Sequence, residues 1–270
     1  MTIKIVQAGL LALYRVVTAT GVLNTPWGRS LYEASYWLYK SRYEAGPVQW
    51  LRKWVRPKTV VIDVGANIGF FTLHFASWVG EGGKVLAIEP EAVNYARLQR
   101  NVSRSGFAAV VDAVNAAAAD AAGEALLELN PLHPGDHKLG TTGVAVATIT
   151  LDHLLAARGW PEVSLIKIDV QGAEMRVLAG ARETIPRFRP ALFVEVEDQK
   201  LRRYGSSASE LITRCTGSGY TIHTLAEDAL AKPLTAGEAL ALVEAKGYTD
   251  LLLLPAEHVT GPARGSSQPP

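Results

Sequence analysis

The chain of 270 residues has almost no cysteine: Cys215 is the single one. One thiol excludes an internal disulfide framework and fits a reducing compartment. Excess charge of either sign is also missing, because 27 Lys and Arg nearly cancel 26 Asp and Glu to leave +1. With 48% hydrophobic and 20% charged residues, the composition is that of a soluble globular protein and excludes a disordered one. Long apolar runs are absent as well. The first residues, MTIKIVQAGLLALYRVV, carry Lys4 before the apolar stretch and Arg15 inside it. A membrane-spanning helix needs about 20 mostly apolar residues, so this segment is too short. Arg15 also shortens the apolar region a signal peptide would need, which favours an amphipathic helix that docks on the body or lies on a membrane surface.

What is present begins with an asymmetry hidden by the balanced total. Residues 1–58 hold nine basic side chains against Glu33 and Glu44, whereas the remainder carries 18 basic against 24 acidic groups. The N-terminal segment is thus a basic appendage on a mildly acidic body. It is aromatic too. Tyr32, Tyr36, Tyr39 and Tyr43 recur at offsets that place all four rings on one helical face, and Trp50 and Trp54 sit at i, i+4 in a second helical stretch over 47–55. Two readings stand: helices docked on the body through their rings, or a lid that closes over a substrate. The expected organisation is an N-terminal helical extension over 1–56, an α/β domain over 57–258 and a frayed tail over 259–270.

After Pro57 strands and helices alternate. The pattern predicts strands over 59–64, 84–89, 110–115, 164–169, 191–196, 219–224 and 249–254, with helices over 68–79, 91–105, 172–185 and 206–218. Such alternation predicts a doubly wound, mostly parallel seven-stranded Rossmann-like sheet covered on both faces. Between the third and fourth core strands the texture changes. EALLELN (124–130) and GVAVATIT (143–150) alternate in period two around the loop PLHPGDHKLGTT, which predicts an inserted β-hairpin arm.

The densest signal is TVVIDVGANIG over residues 59–69, a β-branched run flowing through a glycine turn into FFTLHFASWV. A dinucleotide site would want G-x-G-x-x-G, with its first glycine where Asp63 stands. A carboxylate there would repel a pyrophosphate and attract a cation. S-adenosylmethionine carries a sulfonium and an ammonium group, which makes Asp63 a favourable partner. Gly65 and Gly69 would let its methionyl part approach the backbone, and Asn67 would bond its carboxylate or ribose. Glu89, ending the second strand, is placed to accept from both ribose hydroxyls. Asn115 and Ala116, at the end of the third strand, would flank the adenine edge.

The blocks VVIDVGANIGFFTLHFA, LAIEPEAVNYARLQRNV, LIKIDVQGAEMRVLAGA and PALFVEVE, in that order and spacing, resemble the FkbM-type family of S-adenosylmethionine-dependent methyltransferases. The resemblance covers residues 57–200, and Lys167-Ile-Asp-Val-Gln-Gly-Ala-Glu174 is its most specific part. It implies a class I methyltransferase fold, with the last of seven strands antiparallel, and methylation of hydroxyl groups on polyketides, sugars and other natural products. The aromatic N-terminus and the region after 205 match no motif of the family.

Methyl transfer to an alcohol requires alignment, exclusion of water and removal of a proton. Lys167 and Asp169 share one face of the fourth core strand, Glu174 opens the next helix, and Glu195 and Glu197 end the fifth strand on a common face. Asp169 is expected beside the reacting atoms. Lys167 and Glu195 are equally readable as charge balance that orders the loops. A magnesium site built from Asp169, Glu174 and Glu195 is chemically conceivable, but nothing demands it. His137 lies in a GDHK stretch similar to one in some sequences of the family, and reads either as a general base over the site or as a solvent-exposed loop residue.

The leading expectation is O-methylation of a small molecule, glycan or glycolipid by a cytoplasmic enzyme, with residues 1–56 in peripheral contact with the inner membrane face. One rival is a nucleic-acid methyltransferase, encouraged by the basic, aromatic N-terminus. The acidic body and Asp-Val-Gln-Gly at the end of the fourth strand speak against it, and no nucleic-acid partner is expected. A second rival is a non-catalytic, membrane- or partner-docked cofactor-binding module, which intact Asp169 and Glu174 oppose.

Overall fold

The computed structural model describes residues 45–130, 137–225 and 232–260. The tyrosine stripe, the apolar start, the middle of the inserted loop and the tail from 261 lie outside these residues. The N-terminal extension enters as α1 (Ala45–Trp50), followed by a 3₁₀ turn, Leu51–Trp54. The expected helix over 47–55 therefore tightens after Trp50.

Seven strands build the main sheet: β1 (Val60–Val64), β2 (Lys84–Ile88), β3 (Val111–Val114), β8 (Val163–Ile168), β9 (Ala191–Val196), β10 (Tyr220–Thr224) and β11 (Thr249–Pro255). Their order is β10-β11-β9-β8-β1-β2-β3. All neighbours are parallel except β11, which runs antiparallel to both β9 and β10. Every residue of β1 and of β8 is buried. Strands covered on both faces do not alternate polar and apolar, which is why these two read as mostly apolar runs, with Asp63, Ser164 and Lys167 the buried exceptions. Alternate side chains enter different cores: Ile62, Ile166 and Leu192 pack on one face, and Val61, Leu165 and Phe193 on the other, beneath Phe75.

Helices α2 (Phe70–Trp78) and α3 (Ala92–Arg104) follow β1 and β2. The α3 N-terminus is capped by the Glu91 carboxylate, which accepts from the Val93 and Asn94 amides. Helix α4 (Leu151–Ala156) precedes β8. The predicted helix over 172–185 is two pieces, α5 (Glu174–Ala179) and α6 (Thr184–Phe188). The break has a tertiary cause: Asp152 accepts from the Glu183 and Thr184 amides and from the Thr184 hydroxyl, capping α6 from 32 residues away in sequence. Helix α7 (Asp198–Arg203) follows β9, and α8 (Ala208–Gly217) precedes β10. Helix α9 (Ala236–Lys246) begins with a complete capping box between Thr235 and Glu238, and α10 (Ala256–Thr260) follows β11.

The inserted arm is larger than a hairpin. Strands β4 (Ala117–Ala118), β5 (Gly123–Glu128), β6 (Lys138–Gly140) and β7 (Val144–Ile149) form a second sheet, ordered β4-β7-β5-β6. The expected pair, β5 and β7, is antiparallel. Two short strands flank it, neither long enough to show a period in sequence. The inner face of the arm, Leu127 and Leu139 with half-buried Ala125 and Val146, packs on Val170 and Ala173 just past β8, and on Tyr204. Among the described residues no helix is long and apolar enough to cross a membrane.

Because Leu127 is the buried centre of that contact, Leu127→Ala should destabilise the chain by about 2–4 kcal/mol. Urea unfolding checks this; a change below about 0.5 kcal/mol would show that the arm does not pack as described.

Candidate active site

The chain winds outward from β1 through β2 to β3, and from β8 through β9 in the opposite direction. The crevice beyond the carboxyl ends of β1 and β8 is therefore the switch point of the sheet, where such folds bind ligands. Seven of the twelve expected site residues lie at or just past these strand ends or that of β2.

Two turns meet at the floor. Gly65 and Gly69 have φ of +75° and +97°, and Asn67 between them +51°. Gly65 has two reasons to be glycine: its left-handed backbone, and a Cβ that would run into the Asp169 carbonyl. Its N–H and that of Ala66 both donate to the Ile88 carbonyl, at 3.0 Å, binding the turn to the end of β2.

Asp63 and Lys167 are register partners on adjacent parallel strands. The Asp63 carboxylate is fully buried; one oxygen accepts from the Thr72 hydroxyl at 2.6 Å, and the other lies 3.4 Å from Lys167 Nζ. The carboxylate expected to face a cationic ligand is thus paired within the protein. It sits beneath the turn because alternation points it at α2, so its charge is spent on the protein. Lys167, 3% exposed, donates to the Gly65 carbonyl at 2.8 Å and the Val64 carbonyl at 3.3 Å. Its Nζ is also 3.6 Å from Asp169 Oδ2 and 5.2 Å from the centre of the Phe71 ring.

Glu89 forms the β2 wall. One carboxylate oxygen accepts from the Asn67 amide at 2.8 Å and the other from the Glu91 amide at 2.9 Å, which leaves each a further lone pair. Burial lifts its pKa to about 7; the two amide bonds and Lys167 oppose that rise, and the Glu91 charge adds to it. Asn115 is exposed and donates to the Glu89 and Pro90 carbonyls at 2.8 and 3.0 Å, so its amide holds the β2 exit to the end of β3. Ala116 is buried beside it.

On the β8 side, Asp169 is the accessible carboxylate, with its side chain 29% exposed. Its Oδ1 accepts from Gln171 Nε2 at 3.0 Å. Glu174 is 3% exposed; one oxygen accepts from the Gly172 amide at 3.0 Å, and Oε2 is buried with no hydrogen-bond partner. Burial raises its pKa to about 7, and the Asp169 charge contributes. Glu195 also sits well above the ordinary carboxylate range, through burial and then the charges of Asp169 and Asp250, with Lys200 opposing. Among the described residues no group of three or more His, Cys, Asp or Glu side chains is arranged to hold a metal ion.

His137 is placed between β5 and β6 of the arm, just before β6. Its Nδ1 accepts from the Asn130 amide at 3.0 Å, so the neutral ring carries its proton on Nε2. Four residues in this corner escaped sequence reasoning: Thr72, Gln171, Lys200 and Tyr204. Thr72 alone left a local signal, a hydroxyl in the first turn of the helix after the glycines.

A buried carboxylate with spare acceptor sites at the end of β2, a glycine turn open to close approach, and a preponderance of acidic groups past β8 and β9 suit a ligand with a ribose and positive charge. Together with the strand order and antiparallel β11, they define a class I S-adenosylmethionine-dependent methyltransferase. A sequence model described as the methyltransferase FkbM domain matches residues 63–222. The chain belongs to the FkbM methyltransferase family. It is 32% identical over 227 residues to the 31-O-demethyl-FK506 methyltransferase FkbM of Streptomyces tacrolimicus, covering 71% of this chain and 82% of that one. It is also 31% identical over 123 residues to the hexuronic acid methyltransferase AglP of Haloferax volcanii, covering 45% of this chain and 49% of that one. A solved methyltransferase FkbM from Methylobacillus flagellatus KT is similar at 19% identity and a TM-score of 0.44, covering 81% of this chain and 53% of that one.

The Glu174 shift carries a sign. A carboxyl raised from 4.5 to about 7 on folding stabilises the fold fully below about 4.5, and that contribution disappears as the pH climbs through 7. Glu174→Gln should therefore flatten the loss of stability between pH 5 and pH 8 by up to about 3 kcal/mol. Urea midpoints at the two pH values measure it, and equal slopes in both proteins would refute the assignment.

Proposed function

We infer that the chain methylates a hydroxyl oxygen on a small-molecule, glycan or glycolipid acceptor. The observation that carries this reading is Asp169: its side chain is 29% exposed, more than those of Glu174, Glu195 and Glu197, and it stands beside the glycine turn at the switch point. S-adenosylmethionine, when bound, supplies the electrophilic methyl group. Glu89 would hold its ribose hydroxyls, the Gly65–Gly69 turn would lie along its methionyl part, and Asn115 and Ala116 would border its adenine. Asp169 orients the acceptor hydroxyl by accepting its hydrogen bond, then takes its proton as the oxygen becomes nucleophilic. Lys167, held below, keeps Asp169 in place and offsets its negative charge.

Asp169 is preferred to His137 as the base because the unprotonated nitrogen of His137 is turned to the Asn130 amide. The names of the relatives support the acceptor class: one acts on demethyl-FK506 and another on a hexuronic acid. The buried Asp63–Lys167 ion pair and the raised carboxyls of Glu89 and Glu174 are features of a working site, which weighs against a non-catalytic module.

The deciding experiment is transfer of labelled methyl from S-adenosylmethionine into a cell extract, followed by fractionation. Label recovered as a methyl ether supports the reading; label that nuclease treatment releases would replace it with nucleic-acid methylation. Asp169→Asn should lower that transfer by about 10²–10⁴-fold while S-adenosylhomocysteine still binds in calorimetry. His137→Ala should stay within about threefold, since its bond to the Asn130 amide is not part of the chemistry. Unchanged turnover in Asp169→Asn would retire Asp169.

The pH dependence of binding tests Glu89 separately. Ribose hydroxyls donate to the ionised carboxylate, so affinity for S-adenosylhomocysteine should rise as pH increases from 6 and level off above about 7. Glu89→Gln should abolish this rise; a wild type that binds equally at pH 6 and pH 8 would count against the ribose contact.

A further inference from the structure

Helix α7 approaches the loop after β8 so closely that a Cβ on Gly172 would strike the Lys200 carbonyl and the Tyr204 ring. This contact delivers Lys200 to Gln171, which holds a left-handed backbone with φ +58°. Lys200 Nζ donates to Gln171 Oε1. It also lies 2.7 Å from a Glu197 oxygen and 3.8 Å from Glu195 Oε1. The opposite end of the Gln171 amide faces two carboxylates, with Nε2 at 3.0 Å from Asp169 Oδ1 and 3.5 Å from Glu195 Oε1.

An ammonium can only donate and an ionised carboxylate can only accept. Rotating the Gln171 amide by half a turn would set NH₂ against NH₃⁺ and oxygen against the Asp169 carboxylate. Lys200 therefore selects one of two nearly isosteric orientations. In that orientation the amide nitrogen bridges an oxygen of Asp169 and an oxygen of Glu195 and holds the two side chains in one arrangement.

We propose that Lys200 is a positioning residue for methyl transfer: by fixing the Gln171 amide it aims Asp169 at the acceptor hydroxyl. The proposal rests on the reading of Asp169 as the acceptor-facing base, and it adds two residues that never touch the substrate. A merely structural Lys200 would pair with Glu197 and leave Gln171 unaffected.

The test uses the full chain labelled with nitrogen-15 and the variants Lys200→Met, Lys200→Arg, Gln171→Leu and the Lys200→Met/Gln171→Leu double. The Gln171 side-chain NH₂ pair, identified by its loss in Gln171→Leu, should be displaced from the free-glutamine region in the wild type. It should collapse towards that region in Lys200→Met and be retained in Lys200→Arg. Labelled-methyl transfer into extract should fall about 10- to 100-fold in each of Lys200→Met and Gln171→Leu, the range for groups that orient a primary one. The double variant should lose no more than either single, because both act along one path. Lys200→Arg should recover most of the rate. An unmoved Gln171 pair in Lys200→Met overturns the proposal, as does a double variant whose loss is the product of the single losses. If the wild type forms no methyl ether yet the amide pair collapses in Lys200→Met, the orienting role of Lys200 stands and the acceptor reading alone falls.

Discussion

Everything at the carboxyl end of the sheet hangs on one buried ammonium. Lys167 reaches from β8 across to the end of β1, where it meets Asp63, two main-chain carbonyls, Asp169 and the face of Phe71. A buried ion pair adds little net stability, since desolvation consumes most of the attraction, but either charge left alone is costly. Its effect is therefore specification. If β8 slipped by one residue against β1, Lys167 would turn to the opposite, apolar core, and Asp63 would be left unpaired. The register that seats Gly65 against the Asp169 carbonyl is thus the register that satisfies the pair.

The sequence carried most of this corner in readable form, because the signals were local. A β-branched run, glycines at fixed offsets and an acid at the end of the next run need no tertiary information, and all seven core strands fall within a residue or two of their expected positions. What could not be read depended on distant partners. The break after Ala179 comes from the Asp152 carboxylate, and the extra strands β4 and β6 are too short to carry a period. The turn pattern shows an acid at Asp63 but not which way a strand-end acid points, and its pairing with Thr72 and Lys167 needs the neighbouring helix and strand. His137 was legible as a histidine near an inserted loop, whereas its bond to Asn130 required the β5–β6 pairing. Lys200 and Gln171 meet across 29 residues, and neither is conspicuous alone.

The carboxylates beyond β8 and β9 show how a cluster of one sign is tolerated. Glu174 and Glu195 are driven towards their neutral forms by burial and then by the charge of Asp169, which itself keeps more solvent, beside Lys167. The two lysines divide the work: Lys167 acts from below through main chain and charge, and Lys200 from the side through an amide. Tyr204 completes the frame, donating from its hydroxyl to the Leu139 carbonyl and so fastening the arm to the helix that carries Lys200.

The antiparallel strand β11 has a consequence for how the molecule is made. It lies between β9 and β10, yet it follows both in the chain, so two finished strands must wait with unpaired edges until it arrives. Its run Leu251–Leu254 is wholly buried. During synthesis at roughly 5–20 residues per second, the 50-odd residues between the end of β9 and the start of β11 correspond to about 3–10 seconds. Until β11 is in place the edge of β9 lacks its partner, and an unpaired apolar edge of this kind is a template for aggregation.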